Sequence, residues 1–197
     1  MAKYSNRTGG RAYAWGAAVA AAIFAGTSCA VAQPFSSQPT ASQSTASMTG
    51  RDVQVVARAL GFLQPPPPND AWVAIVFAPG DAASRQDAER IAALFGTGMR
   101  AGNAVLSARP VSAAALAGAG SPAALIAAVG APMATVMAAA RLGRITCITA
   151  ALDQVEAGHC TMWVRSEPRV EIVINQAAAR SCELGFAAAF RMMVREI

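Results

Sequence analysis

The chain has 197 residues, 54% of them hydrophobic, with 16 Lys and Arg residues against 11 Asp and Glu residues and a single histidine. Lys3, Arg7 and Arg11 all precede the first acid, Asp52, so the rest of the chain carries 13 basic and 11 acidic residues, a net charge of only +2. This near balance, without a basic stripe, argues against a nucleic-acid-binding protein.

The N-terminus predicts an export signal. A basic head is followed by the apolar stretch Ala12–Gly26 and by "AVA" at Ala30–Ala32, which is the three-part layout of a secretory signal peptide. We expect residues 1–32 to be removed and the protein to reside in the periplasm. Cys29 offers a lipoprotein alternative, but Gly26 stands where a lipoprotein signal has a branched apolar residue. The short apolar stretch also leaves room for an uncleaved anchor.

Two segments of different composition follow. Residues 33–50 are rich in Ser, Thr and Gln and predict a disordered linker with almost nothing to bury. Residues 51–197 have the length of one domain, enough to bury a core without help from cysteines.

Hydrophobic patterning divides this second segment into alternating helices and strands. In chain order we predict a helix at Arg51–Leu63, a strand at Ala71–Ala78, a helix at Ala82–Phe95, strands at Asn103–Ala108 and Ala123–Val129, a helix at Pro132–Leu142, a strand at Ile145–Thr149, a helix at Leu152–Ala157, strands at Thr161–Val164 and Val170–Ile174, and a helix at Phe186–Glu196. The prolines of "PPPPND" at Pro65–Asp70 end the first helix, and "RSEPR" supplies a turn between the last two strands. This order predicts an α/β domain with a mostly parallel sheet, helices on both faces and an antiparallel C-terminal hairpin.

Cys147 and Cys160 are thirteen residues apart, and Cys160 directly follows His159. A disulfide, a metal site and a thiol nucleophile are the three uses to consider. A metal site lacks further ligands, and neighbouring strand side chains point to opposite faces, which turns His159 away from the Cys160 thiol. In an oxidising compartment a disulfide is the default. We therefore predict a Cys147–Cys160 disulfide, no catalytic residue, no metal and no cofactor.

Two other polar residues have more than one interpretation. Cys182 fits a free thiol, an intermolecular bridge or an alternative partner for Cys160. Asn175 follows the last predicted strand, where it fits either a helix cap or a ligand contact at the carboxyl end of a strand.

The last predicted helix carries a set of large apolar residues. Met192 and Met193, together with Phe186 and Phe190, predict a face packed into the core. If these side chains were exposed, they would indicate a partner surface instead.

From Arg144 to Ile197 the chain resembles the C-terminal half of the YfiR-like periplasmic proteins. The shared pattern is a strand, a short helix, a glycine at Gly158, a hairpin, and the step "INQAAA" at Ile174–Ala179 before a final helix. The chain departs from the family in lacking a tryptophan-proline step after the first helix and in having Ala150 where members often carry Asp.

The resemblance implies a non-enzymatic periplasmic regulator. The best-understood members of the family restrain a membrane-bound diguanylate cyclase and release it under envelope or redox stress, and reduction of the predicted disulfide would loosen the hairpin. A relative of periplasmic solute-binding proteins is the alternative hypothesis for the function, and a thiol-dependent enzyme is the third hypothesis. A membrane-bound signalling protein, a small ligand and a second copy of the chain all stay open as partners.

Overall fold

Residues 46–197 are those that the computed structural model of the protein describes. The predicted signal peptide at 1–32, Cys29 and most of the predicted linker at 33–50 lie outside the described residues. The last few linker residues differ from the prediction, because Met48 is buried in the core and Thr49 caps the first helix. The prediction rested on average composition and therefore overlooked one methionine that the core accepts.

The described residues form an eight-stranded sheet with parallel strands at its centre. Across the sheet the strands, numbered in chain order, are β10 (Arg195–Glu196), β8 (Glu171–Ile174), β7 (Met162–Arg165), β6 (Thr146–Thr149), β5 (Ala124–Ala127), β2 (Asp70–Phe77), β4 (Ala104–Ser112) and β3 (Met99–Ala101). The five strands from β7 to β4 are parallel to one another. β7 and β8 form the predicted antiparallel hairpin, β10 runs parallel to β8, and β3 runs antiparallel to β4.

Helices cover both faces of the sheet, as predicted. They are α1 (Gly50–Leu60), α2 (Ala82–Leu94), α3 (Met133–Gly143), α4 (Leu152–Glu156), α5 (Gln176–Ser181) and α6 (Ala188–Arg191), with a 3-10 helix at Ala113–Gly118. On β2, Ile75 packs with α1 and α2 in one core, whereas Val76 packs with α3 in the other. The two cores are separate because successive strand side chains point to opposite faces.

The end of the chain differs from the prediction of one helix at Phe186–Glu196. Gly185–Phe186 forms a short strand, β9, which pairs antiparallel with β1 (Leu63–Gln64). One helical turn, α6, then leads into β10. The Ala- and Met-rich sequence has the propensity for a helix, but the backbone bonds elsewhere: the N–H of Ala187 donates to Phe62 O and that of Ile197 to Ile174 O, both at 2.9 Å. Tertiary pairing thus overrides local propensity.

Candidate functional site

Cys147 and Cys160 form a disulfide that joins β6 to the segment leading into β7, two residues before that strand begins. Their Cα atoms are 5.1 Å apart, and both residues are fully buried. Thr161 reinforces the same junction, because its Oγ1 donates to Cys147 O at 2.6 Å and accepts from Cys147 N at 2.9 Å. The predicted pairing is confirmed, and it closes a loop that contains α4.

The neighbouring histidine does not activate a thiol in this arrangement. The Nδ1 atom of His159 lies 3.3 Å from Gln154 Oε1, and the Cys160 sulfur is already bonded to Cys147. Within residues 46–197, no group of three or more His, Cys, Asp and Glu side chains could hold a metal ion.

Cys182 is a free thiol at the end of α5. It is fully buried on the same face of the sheet as the disulfide. Burial raises the pKa of the Cys182 thiol, and the hydrogen bond with Ser181 and the charge of Arg141 oppose this more weakly. A buried, protonated thiol is a poor nucleophile, and it is not accessible for the intermolecular bridge that the sequence left open.

Asn175 caps α5. Its Oδ1 accepts from Ala178 N at 2.9 Å, and its Nδ2 donates to Val155 O at 2.8 Å. Because β8 runs antiparallel to β7, Asn175 lies beside Thr161, where β7 begins. Asn175 therefore lies at the end of the sheet opposite the carboxyl ends of the parallel strands, where α/β proteins bind ligands. Both the oxygen and the nitrogen of the Asn175 amide bond to the protein's own backbone. This agrees with the interpretation as a helix cap and does not support a ligand contact.

A groove of about 420 Å³ lies between α1 and the last residues of the chain. We call it the C-terminal groove; it is lined by Val55, Arg58, Ala59, Phe62, Val170, Glu171, Ile172, Phe190, Met193, Val194 and Arg195. Phe190 is buried beneath it and stacks on Phe62, with ring centroids 5.0 Å apart and planes at 10°. Phe186 packs against Phe190 at 5.6 Å.

The groove exposes several large apolar side chains. Val170 is 52% exposed and Met193 68% exposed, and Met192 beside them is 83% exposed. The prediction that both methionines face the core is wrong, because α6 ends at Arg191. Clustered apolar exposure of this kind is typical of interaction surfaces.

The charges at the groove are unevenly paired. Glu171 accepts from Arg165 at 2.6 Å and from Arg169 at 3.3 Å, and these arginines lower its pKa. In the part of the chain that the structure describes, Arg58 and Arg195 have no carboxylate partner. The groove therefore combines an apolar floor with an excess of positive charge.

Asp52 holds one wall of the groove in place. From α1, its Oδ1 accepts from Ser166 N at 2.6 Å, while its Oδ2 accepts from Thr49 N at 2.8 Å and Thr49 Oγ1 at 2.7 Å. Burial alone would raise the pKa of Asp52, but the hydrogen bonds from Ser166 and Thr49 outweigh it and lower the pKa. This buried carboxylate ties α1 to the turn of the β7–β8 hairpin, which carries Val170.

Sequence reasoning missed Asp52, Arg58 and Arg195. The capping box of Thr49 and Asp52 has a local signature of Thr followed three residues later by an acid, so it was readable. Arg58 and Arg195 come from opposite ends of the described chain, and only the tertiary fold brings them to one groove.

A second cavity of about 450 Å³ lies between the 3-10 helix and α3. Its lining is apolar apart from Thr135, and at its edge Leu142 is 90% exposed. It carries no charged side chain, unlike the C-terminal groove.

Comparison with known proteins establishes the fold and no more. No protein-family model and no curated protein matches the chain. A crystal structure of a conserved domain protein from Vibrio cholerae O1 biovar El Tor strain N16961 is similar, with a TM-score of 0.52 and 14% identity over 77% of this chain and 60% of that one. The match therefore spans less than two thirds of that protein, and at this identity it supports the α/β class alone.

Two further observations bear on where the protein acts. Within residues 46–197, no helix is both long and apolar enough to cross a bilayer. The buried disulfide is compatible with an oxidising compartment such as the periplasm.

Proposed function

We propose that this protein is an exported, non-enzymatic regulator that binds a membrane-bound signalling protein, in the way that YfiR-like proteins restrain a diguanylate cyclase. The observation that carries the proposal is the C-terminal groove, where Val170 and Met193 stay largely exposed above an aromatic floor. The resemblance to the family covers Arg144–Ile197, the stretch that supplies the floor residue Phe190 and most of the groove's rim.

The composition of the groove suits a partner that must bind and be released. Methionine adapts its shape to different apolar surfaces, and aromatic and apolar residues at the centre of an interface provide most of the binding energy. The disulfide acts at a distance in this proposal, because it anchors the β7–β8 hairpin that carries Val170. Its reduction would loosen that hairpin and weaken the groove.

The proposal is tested by deleting the gene in its native host and measuring intracellular cyclic di-GMP. We expect the level to rise on deletion and to return when the wild-type chain is restored. The double variant Val170→Ser/Met193→Ser should be exported normally yet fail to restore the level. Leu142→Ser is the control, since it removes an even more exposed apolar side chain outside the groove. An unchanged level after deletion would contradict the regulatory role.

The cavity between the 3-10 helix and α3 favours a second candidate, a relative of solute-binding proteins that takes a small apolar molecule. Pockets of 300–1,000 Å³ that are mostly apolar with few polar groups are typical of small-ligand sites, and this cavity has that character. Native mass spectrometry of the exported protein should then show a bound molecule that Ala139→Phe removes. An empty protein in both cases would reject this function.

A further inference from the structure

We propose that the partner inserts into the C-terminal groove an amphipathic segment that is apolar on one face and acidic at its margin, with carboxylates that pair with Arg58 and Arg195. This inference rests on the proposed function, in which the groove binds a protein, and it adds the chemistry of the partner's binding segment.

Two exposed arginines of the groove have no carboxylate partner among the described residues. Arg58 lies in the last turn of α1 and Arg195 on β10; both are exposed and both line the groove. Their neighbours are paired: Arg165 and Arg169 bind Glu171, and Arg191 binds Glu196. Within residues 46–197, Arg58 and Arg195 are thus the arginines of the groove that form no ion pair.

The lining of the groove carries an excess of positive charge. Glu171 is the one carboxylate among the lining residues, and Arg165 and Arg169 already neutralise it. A docking segment therefore meets two unpaired guanidinium groups around an apolar centre. Guanidinium pairs with carboxylate through two parallel hydrogen bonds and stays charged at any physiological pH. Exclusion of water by the apolar contact strengthens each such pair.

Two other occupants fit the surface less well. A second copy bound about a two-fold axis would place the same patch against itself, and the one carboxylate of that patch, Glu171, is already paired. An anionic membrane would satisfy the charges, but Phe190 forms the floor of a concavity and is buried. A flat bilayer surface does not reach such a floor, whereas side chains of a helix or strand do.

The test places a photo-crosslinking amino acid at Met193 in the full chain, expressed at native level in its host. The residue is exposed, so the substitution leaves the core intact. We expect a crosslink to another protein, mapped by mass spectrometry to a segment with apolar residues and a net negative charge. A crosslink to lipid, to a second copy of this chain, or to a basic or uncharged segment would overturn the inference.

Charge reversal sharpens the same experiment. Arg58→Glu/Arg195→Glu should lower the crosslink yield at Met193 by about ten-fold or more, because two attractive contacts become repulsive. Arg58→Lys/Arg195→Lys should retain most of the yield. Arg100→Glu is the control, since Arg100 is exposed on β3 at the opposite edge of the sheet. An unchanged yield in the double Glu variant would overturn the inference.

Different results would reject the acidic partner segment and the regulatory function. A crosslink to a protein segment that is not acidic, with cyclic di-GMP still dependent on the gene, rejects the partner chemistry and leaves the proposed function standing. A cyclic di-GMP level that does not respond to deletion rejects the proposed function, whatever the crosslink shows.

Discussion

The disulfide region and the C-terminal groove are built largely from the same last third of the chain. The disulfide region is buried, whereas the groove exposes apolar and charged side chains. Around Cys147 and Cys160, the side chains of Thr161 and Asn175 have their hydrogen bonds inside the protein, and the third thiol, Cys182, is buried. At the groove, Met193 is largely exposed, and the Arg195 side chain has no carboxylate partner among the described residues.

This difference distinguishes the stabilising disulfide region from the proposed binding surface, which the sequence alone does not do. A region whose side chains are buried and mostly hydrogen-bonded within the fold contributes to stability and offers little surface to a partner. In a region that exposes apolar area and unpaired charge, binding of a complementary partner is favourable, because it buries the apolar area and pairs the charge. The cysteines stand out in the sequence, but the exposed apolar side chains and the arginines of the proposed binding surface lie in the C-terminal groove.

The largest expected effect lies under the groove. Phe190→Ala removes a buried ring that stacks on Phe62, so we expect a loss of about 3–5 kcal/mol in the free energy of unfolding. Urea unfolding of the exported protein measures it. Phe190→Leu keeps more of the apolar volume and should lose less. Equal, small losses in both variants would show that the floor of the groove is not part of the core.

The next effect concerns the disulfide. Cys147→Ser/Cys160→Ser should lower the free energy of unfolding by about 3 kcal/mol, because the bond restricts the unfolded chain over a loop of this length. Urea unfolding without reductant is the measurement. Alkylation provides the control: Cys182 should react only after denaturation, and the two bonded cysteines only after reduction. Ready alkylation of Cys147 or Cys160 in the native protein would contradict the pairing.

Asp52→Asn should lower the free energy of unfolding by about 1.5–3 kcal/mol at pH 7, since hydrogen bonds to a buried carboxylate are lost or weakened. The pKa of Asp52 is lowered in the folded state from its ordinary value of 3.8, so its contribution is present above that value and fades as the pH falls through the lowered pKa. The gap between wild type and variant in urea midpoint should therefore be narrower at pH 3 than at pH 7. A gap that stays constant or widens would contradict the role of the carboxylate.

The smallest effect on stability is expected at the rim. Val170→Ser/Met193→Ser changes side chains that are already largely exposed, so the free energy of unfolding should stay within about 0.5 kcal/mol of wild type. Thermal and urea unfolding measure it. A loss above about 2 kcal/mol would show that the rim is core, and failed complementation by this variant would then say nothing about binding.

The sequence predicted the parts of the molecule in which local pattern and tertiary fold agree. The unbroken apolar runs around Ile75 and Ile148 became β2 and β6, each paired on both sides within the sheet. The Cys147–Cys160 pairing followed from compartment and topology. In each case the short-range signal and the final packing point to the same answer.

The parts that could not be predicted depend on contacts between distant segments. Local propensity favours a helix at Phe186–Glu196, and only pairing with β1 and β8 divides it into β9, α6 and β10. The exposure of Met193 follows from that division. Arg58 gives no signal of its own, because an arginine in the last turn of a helix is ordinary until the fold places it beside Arg195.

Hydrogen–deuterium exchange tests most directly whether the partner binds at the C-terminal groove and not at the disulfide region. The protein is measured alone and in complex with the partner that the Met193 crosslink identifies. The account predicts that binding slows exchange in the segments that form the groove, around residues 55–62, 170–172 and 190–195, and leaves residues 147–160 unchanged. Slower exchange around the disulfide with no change at the groove would contradict the assignment of binding to one region and stability to the other.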